Sequence, residues 1–209
     1  MYKKLSEEKL ANIREEGIAE FATYGYEGAS ISRIAKKAGT SVGVIYKYYE
    51  DKDALFLECV RISLESLNTI LEGLEENCRT LYDSLHFLIS SLIDHAKKHE
   101  LVNRMYNEIT SIGVSKNVAL LADEIEAVSA KTYAKILKKA QEEKAIRGDI
   151  DVKKLSFFID NLLMSLQFSY SCEYYRDRMK IYCGKDVFDD DEAMKDALVK
   201  FIMGALSAK

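Results

Sequence analysis

The sequence predicts an all-α fold of about nine helices, and three observations support this prediction. The 209 residues contain no proline, although proline is common in turns, edge strands and linkers. Apolar residues recur at helical spacing almost throughout, and no segment alternates in the way a strand does. Several of the apolar segments also begin with a residue that can cap a helix. We therefore expect helices joined by short connections.

Composition places the chain among globular proteins. Hydrophobic residues make up 48% and charged residues 31%, and the formal net charge is −4, so the chain as a whole is not a polycation that coats nucleic acid. The first residues lack an apolar leader, and the longest uncharged stretch is too short to cross a bilayer. We expect a cytoplasmic protein with no membrane partner. The four cysteines are scattered without a C-x-x-C pair, which indicates reduced thiols.

The individual helices are predicted from apolar stripes and caps. Asp51 and Thr80 can cap two long helices, and acidic residues at 189–192 complement the N-terminus of the last one. The predicted helices cover residues 6–24 (capped by Ser6 and followed by Gly25), 31–38, 42–48, from 51 to beyond 74, from 80 to beyond 92, 101–112, 117–145, 152–182 and 190–207.

The most informative local feature is a helix-turn-helix pattern over about residues 30–49. Ser30 and Ser41 can cap its two short helices, and Gly39 can take the left-handed conformation between them. The 22 residues from Gly28 to Tyr49 include no acid but four basic residues, Arg33, Lys36, Lys37 and Lys47. A DNA phosphate backbone would tolerate such a surface. An ordinary helical hairpin inside a larger bundle is the alternative.

A helix-turn-helix inserts the N-terminal end of its second helix into the major groove. This geometry places residues of the turn and the second helix against the DNA. It adds three residues near the start of the first helix and one lysine that follows the motif. The set is Thr40, Ser41, Val42, Gly43 and Lys47, with Ser30, Ser32, Arg33 and Lys52.

Three blocks of this region resemble the N-terminal domain of TetR-family transcriptional regulators. They are Phe21-x-x-x-Gly25-Tyr26, then the run from Ile34 to Tyr49 with Ala38-Gly39-Thr40-Ser41-Val42-Gly43-Val44-Ile45-Tyr46-Lys47-Tyr48, then Asp51-Lys52-x-x-Leu55-Phe56. The resemblance covers about residues 8–56. By position it adds Tyr46 and Tyr48 to the expected DNA contacts. Val44 and Glu50 depart from the family pattern, which has a hydroxyl and a lysine more often at those places.

The resemblance implies a homodimeric transcriptional repressor that binds double-stranded DNA and has two domains. Residues 1–51 would form a three-helix DNA-binding domain, and residues 52–209 would form a helical domain that dimerises and binds a small, largely apolar effector. The expected dimer residues lie on the last helices and are Asp160, Gln167, Tyr174, Met194, Leu198, Phe201 and Ile202.

A candidate ligand site is predicted from residues 155–172, which are apolar nearly all round and therefore buried on more than one side. Aromatic, methionine and polar side chains at helical spacing there, together with residues of other helices, are typical of a small-molecule pocket. The set is Phe87, Met105, Tyr106, Glu108, Tyr133, Phe157, Asn161, Met164 and Phe168. Plain core packing is the alternative for each of them.

Metal binding and catalysis find little support. His95 and His99 are four residues apart, as metal ligands on a helix can be, but no third ligand stands at a telling spacing. Catalytic nucleophile, phosphate-loop and zinc-protease motifs are absent. We predict a ligand-responsive regulator, a repressor with no cofactor, no metal and no catalytic residues. The alternatives are a metabolite-binding protein or enzyme that keeps the fold without binding DNA, and a helix-bundle adaptor.

Overall fold

The computed structural model describes residues 5–111 and 116–207, and their side chains outside 75–77 and 110–125. Every regular element within these ranges is a helix, which confirms the predicted all-α fold class. The ten helices are α1 (Glu7–Gly28), α2 (Ile31–Lys37), α3 (Val42–Tyr48), α4 (Lys52–Asn77), α5 (Leu81–Lys98), α6 (Glu100–Ser111), α7 (Lys116–Glu142), α8 (Val152–Ser171), α9 (Glu173–Cys183) and α10 (Asp191–Leu206).

The tenth helix arises from a break that the sequence did not reveal. The single helix predicted over 152–182 is wrong, because Cys172 has extended backbone angles, φ −111° and ψ 130°, and separates α8 from α9. Arg176 donates to the Tyr170 carbonyl at 2.7 Å, so a side chain satisfies part of the last turn of α8. Neither glycine nor proline marks this position, and periodicity alone continues across it.

The first helix also differs from its prediction. It continues past residue 24 to Gly28, with a kink at Gly25, whose φ is 67°. A Cβ at this position would lie only 2.7 Å from Oε1 of Glu108, on α6. The positive φ therefore favours glycine at the kink, whereas the end of the flexible Glu108 side chain can move aside.

Most predicted caps are confirmed. The side chains of Ser6 and Asp51 accept hydrogen bonds from amides of the first turns of α1 and α4. Asp190, one of the acids predicted to complement the N-terminus of the last helix, accepts from the Ala193 amide and caps α10. Thr80 and Asp83 form a reciprocal capping box at α5. The predicted helix end at residue 112 lies outside the described residues, and α7 ends at Glu142, three residues before its predicted end.

The chain divides into two compact units. One consists of Met1–Glu65 with Leu101–Val118, and the other of Ser66–Glu100 with Ala119–Lys209, so the division falls within α4. In the first unit, the ring of Phe56 packs edge-on against Phe21 and Tyr26, with both centroids 5.0 Å away. This aromatic cluster anchors α1 and its kink to the start of α4.

The second unit has its own apolar core. Side chains of α5, α7, α8 and α10 meet there, and Ile89, Leu137, Leu163 and Val199 are buried in it. Tyr170 of α8 packs edge-on against Phe188, in the segment before α10, with centroids 5.3 Å apart. In the described part of the chain, no helix combines the length and the apolar character that a membrane span requires.

Candidate nucleic-acid interface

The turn between α2 and α3 is closed by backbone hydrogen bonds. The Thr40 amide donates to the Ala35 carbonyl at 2.9 Å, and Gly39 has φ 62°, as predicted for the end of α2. Asn12 of α1 donates to the Ala38 carbonyl at 3.3 Å. Ile45 of α3 is fully buried. The first unit therefore fixes the orientation of α3 from one side.

The two serine caps of this motif have different outcomes. Ser41 caps α3 as predicted, since its hydroxyl accepts from the Val44 amide at 3.3 Å. The predicted Ser30 cap is wrong, because its side chain makes no capping bond and its backbone amide instead donates to Glu20 Oε1 at 3.1 Å. A carboxylate from α1 thus supplies the acceptor at the start of α2.

Glu20 is a fully buried carboxylate that our sequence reasoning missed. The Nε and Nη2 atoms of Arg33 both lie 2.6 Å from Oε1, and Lys37 Nζ lies 3.7 Å from Oε2. Arg33 also donates to the Gly28 carbonyl at 2.7 Å. The available signal was the register of α1, which places an acid at 20 on the same inward face as the buried Ile13.

The exposed residues of α3 and its N-cap are Ser41, Gly43, Tyr46 and Lys47, and we call this set the α3 face. Tyr46 is 46% exposed, although it stands one residue from the fully buried Ile45. A Cβ on Gly43 would meet no atom within 4 Å. Packing within the chain therefore does not require glycine there, whereas close approach of another molecule would.

Of the other residues predicted to contact DNA, some are accessible at the surface and others bond to neighbours within the first unit. Ser32 is exposed on α2, and Thr40 and Val42 are half-buried. The Tyr48 hydroxyl accepts from the Leu5 amide at 2.6 Å. Lys52 donates to the Glu27 carbonyl at 3.3 Å and stands 4.7 Å from the centroid of the Tyr26 ring. Tyr48 and Lys52 thus hold the unit together.

Tyr26 connects this network to α4. Its phenol donates to the Asp53 carboxylate, and burial together with that bond raises the pKa of Tyr26 well above its usual range. The phenol is therefore protonated at neutral pH and donates to Asp53.

The predicted ligand residues are divided between the two units. Met105, Tyr106 and Glu108 belong to the first unit, and the other six to the second. Met105 and Phe168 are almost fully buried, whereas Phe157 is 65% exposed. Their assignment as one ligand site stays a prediction.

Two adjoining cavities lie in the second unit. The outer cavity, of about 430 Å³, is bounded by the last turns of α4, the first turn of α5 and the last turns of α7. The inner cavity, of about 20 Å³, is lined by core side chains that include Tyr133. Of the nine predicted ligand residues, Tyr133 lines the inner cavity.

Several predicted dimer residues lie on the surface of the single chain. Tyr174 and Phe201 are 74% and 62% exposed, and Met194 and Leu198 are half-buried. Gln167 and Ile202 are buried within the chain, so they can only support such an interface from behind. The remaining residue, Asp160, is half-buried on α8, where desolvation and the nearby charge of Glu126 raise the pKa of its carboxyl to about 6.

The two histidines considered as metal ligands are neighbours. The ring centroids of His95 and His99 are 4.8 Å apart, and among the described residues no further metal-ligating group completes a site with them. His95 Nε2 lies 3.0 Å from Ser66 Oγ. Burial, and then the charge of His99, lowers the pKa of His95 to about 4.

Comparison with known proteins identifies relatives of the N-terminal region. A family model described as "Bacterial regulatory proteins, tetR family" matches residues 13–59. The HTH-type transcriptional repressor AcnR of Corynebacterium jeikeium is 37% identical over 87 residues, which cover 39% of this chain and 46% of AcnR. YhgD of Bacillus subtilis, an uncharacterized HTH-type transcriptional regulator, is 24% identical over 101 residues, 48% of this chain and 53% of YhgD. The chain thus spans about half the length of these relatives.

Solved structures resemble the whole chain. The transcriptional regulator FadR from Bacillus subtilis, in complex with stearoyl-CoA, matches with a TM-score of 0.76 at 16% identity, over 94% of this chain and 99% of FadR. The ketosteroid transcriptional regulator KstR2 of Mycobacterium tuberculosis matches with a TM-score of 0.69 at 17% identity, over 99% and 98% of the two chains. At these identities the likeness shows a common fold.

Proposed function

We propose that this chain, a member of the tetR family of bacterial regulatory proteins by its N-terminal domain, is a ligand-responsive transcriptional repressor. Residues 1–51 would bind operator DNA in the cytoplasm, and residues 52–209 would dimerise and bind the effector. The relatives named above support a regulator rather than an enzyme, since all of them are transcriptional repressors or regulators.

The observation that carries the DNA-binding proposal is the α3 face. A helix whose buried side is fixed by Ile45 presents an exposed tyrosine, an exposed lysine and a glycine with open space above it. The tyrosine hydroxyl and the lysine can reach phosphate oxygens, and Gly43 lets the duplex approach the backbone. The surface formed by residues 28–49 has no acid that would repel the phosphates.

The proposed homodimer accounts for exposed aromatic side chains on the C-terminal helices. Phe157 and Phe158 of α8 are 65% and 55% exposed, and Phe201 of α10 is 62% exposed. Exposed large apolar side chains are typical of interfaces. A two-fold dimer would present two copies of α3 to successive major grooves about 34–36 Å apart, or at a wider spacing after distortion, and the operator would be roughly palindromic.

The effector would act through a difference in affinity. A ligand of the C-terminal domain releases the DNA only to the extent that it binds the DNA-free conformation more tightly than the DNA-bound one. The FadR structure with stearoyl-CoA shows that a protein of the same fold binds a small ligand.

The test is selection of duplex DNA from a random library by the purified protein, followed by titration of the selected duplex at several salt concentrations. We expect an inverted repeat among the selected sequences. Tyr46→Ala should weaken binding about tenfold or more, and Lys47→Gln should lower the slope of log affinity against log salt by about 1. Lys98→Gln, an exposed lysine of α5, serves as the matched control.

Two outcomes would contradict the proposal. Full retention of affinity and salt slope in both α3 variants would exclude α3 as the recognition helix. Selection of no sequence at all, with no salt-dependent binding of any duplex, would exclude the DNA-binding function.

A further inference from the structure

The outer and inner cavities of the second unit adjoin each other. Four side chains line both, namely those of Leu74, Leu81, Ser84 and Ile136. Three of these four are apolar. A molecule in the outer cavity would therefore rest its apolar part against the surface that leads into the core.

The rim of the outer cavity is cationic. Among the described side chains that line it, the cations are Arg79, Lys135, Lys138 and Lys139, and the acids are Glu142 and Glu143. Each acid stands 3.9 Å from a lysine one turn earlier on α7, and all four of these side chains are well exposed. Ion pairs of this kind contribute little to stability, so both lysines can turn towards an anion at small cost.

The start of α5 adds a second source of positive potential. Leu81, the first residue of this 18-residue helix, lines the outer cavity. The capping box binds the amides of Thr80 and Asp83, and the amides of Leu81 and Tyr82 have no acceptor in the described part of the chain. Unsatisfied amides at the positive end of a helix dipole favour an anionic group.

We propose that the outer cavity binds a small amphipathic carboxylate. Its head group would lie among the cations of the rim, and its apolar part would cover Leu74, Leu81 and Ile136. The volume of about 430 Å³ falls within the range of about 300–1,000 Å³ that small-molecule sites occupy. The inner cavity, at about 20 Å³, has room for little more than one water-sized group, so the apolar part would end there.

An amphipathic carboxylate bound here would be the effector of the proposed regulator. Only this regulatory role rests on the proposed function. Binding of a carboxylate to the second unit needs no DNA. Ligand binding and DNA binding are therefore measured separately, and each can fail without the other.

The experiment is isothermal titration calorimetry of the full chain with octanoate, and with 1-octanol as a neutral ligand of the same chain length. We expect one octanoate per chain, with an affinity that falls as sodium chloride is added. Octanol should bind about tenfold more weakly or worse, because it lacks the charge that the rim recognises.

Variants locate the site. Arg79→Gln combined with Lys139→Gln should weaken octanoate binding about tenfold or more and leave octanol binding unchanged. Lys98→Gln is the matched control, since this exposed lysine of α5 also pairs with an acid one turn away but lies outside the cavity. It should leave both ligands unaffected. All these residues are exposed, so folding of the variants is expected and is checked by circular dichroism.

Three results would overturn the inference. They are no heat of binding with octanoate at about 1 mM, equal affinity for octanol, or wild-type octanoate affinity in the double variant. In a parallel titration with the selected duplex, loss of DNA binding with intact octanoate binding would reject the regulator and keep the site. Loss of octanoate binding with intact DNA binding would reject the site and keep the regulator.

Discussion

The guanidinium of Arg33 lies against the fully buried carboxylate of Glu20, with Nε and Oε1 2.6 Å apart. The arginine side chain is itself about half exposed, with 46% of its surface accessible. The pair joins α1 to α2, the first helix of the helix-turn-helix. Arg33, which we predicted as a DNA contact, therefore has a positioning role within the domain.

Removal of the two partners should have unequal effects. Arg33→Gln leaves the buried carboxylate with Lys37 and the Ser30 amide as its partners among the described residues, and should lower the free energy of unfolding by about 3 kcal/mol. Glu20→Gln keeps an oxygen acceptor and leaves a half-exposed arginine that water can solvate, so its cost should be closer to about 1 kcal/mol. Urea denaturation of both variants measures the difference.

Lys36→Gln is the matched control for this comparison. Lys36 is exposed on the same short helix, so its replacement should weaken DNA binding without changing the urea midpoint. An effect of Arg33→Gln no larger than that of Lys36→Gln would show that the buried carboxylate does not depend on its arginine.

Two glycines of the motif should respond in opposite ways to alanine. Gly43→Ala meets no atom within 4 Å and adds a better helix former, so the protein should keep its melting temperature or gain in it. DNA affinity should fall, because the new methyl group stands on the α3 face. Gly39→Ala should instead lower the melting temperature, since φ at this position is 62°. Unchanged DNA affinity in Gly43→Ala would mean that the duplex does not approach α3 closely.

The parts of the fold that were predictable are those determined locally. The caps at Ser41, Asp51 and Thr80 follow from side chains that bond to amides two or three residues ahead, and the structure has all three. At the break at Cys172, in contrast, the Tyr170 carbonyl of α8 accepts a hydrogen bond from the side chain of Arg176, on the next helix. No local signal in the sequence accompanies such a contact.

The same contrast between local and long-range contacts explains which parts of the candidate sites were predictable. The α3 face was predictable because a short motif sets which residues of one helix are buried and which are exposed. The role of Glu20 was not, because an inward acid on α1 gives no indication of which base will meet it. The outer cavity lies between the α4–α5 connection and the last turns of α7, which are distant from it in sequence, so apolar periodicity on α8 could not locate it.

Exposed phenylalanines on α8 and α10 predict the behaviour of surface charge variants. Phe158→Lys or Phe201→Lys should convert the proposed dimer into monomers, because each places a charge on an apolar side chain that the partner would cover. Tyr82→Lys is the matched control, since Tyr82 is 50% exposed on α5. Sedimentation velocity measures the state of association. A monomeric wild-type chain, or dimers in both variants, would contradict the interface.

His95 should make the protein less stable in mild acid. Its pKa is lowered from 6.5 to about 4 in the folded chain, so between these values the unfolded chain binds the additional proton. The stability that His95 contributes is therefore complete above pH 6.5 and is lost as the pH falls towards 4. His95→Gln should flatten the dependence of melting temperature on pH in this window.

The neighbouring imidazole provides a direct check of the cause. His99→Gln removes the second contribution to the lowered pKa of His95, so nuclear magnetic resonance titration should show the His95 pKa moving upward. A His95 that titrates at its ordinary value in the wild type would contradict the burial argument.

Asp160 should make the protein less stable as the pH rises, which is the opposite of the dependence expected from His95. Its pKa is raised from 3.8 to about 6 by desolvation and by the charge of Glu126, so the folded chain holds the proton more tightly than the unfolded chain. The stability that this carboxyl contributes is complete below pH 3.8 and is lost as the pH rises through 6. Above pH 6 the ionised group is disfavoured inside the fold. Asp160→Asn, which stays neutral, should therefore melt at a higher temperature than the wild type at pH 7.

The pH dependence of that difference identifies its origin. The advantage of Asp160→Asn should shrink as the pH is lowered from 7 and vanish near pH 4, where the wild-type carboxyl is protonated as well. Glu126→Gln should give part of the same gain at pH 7, because it removes the repulsion and leaves the desolvation. Calorimetric melting of the three proteins across this range tests the argument. A difference that is constant with pH would show that the asparagine acts through packing and not through charge.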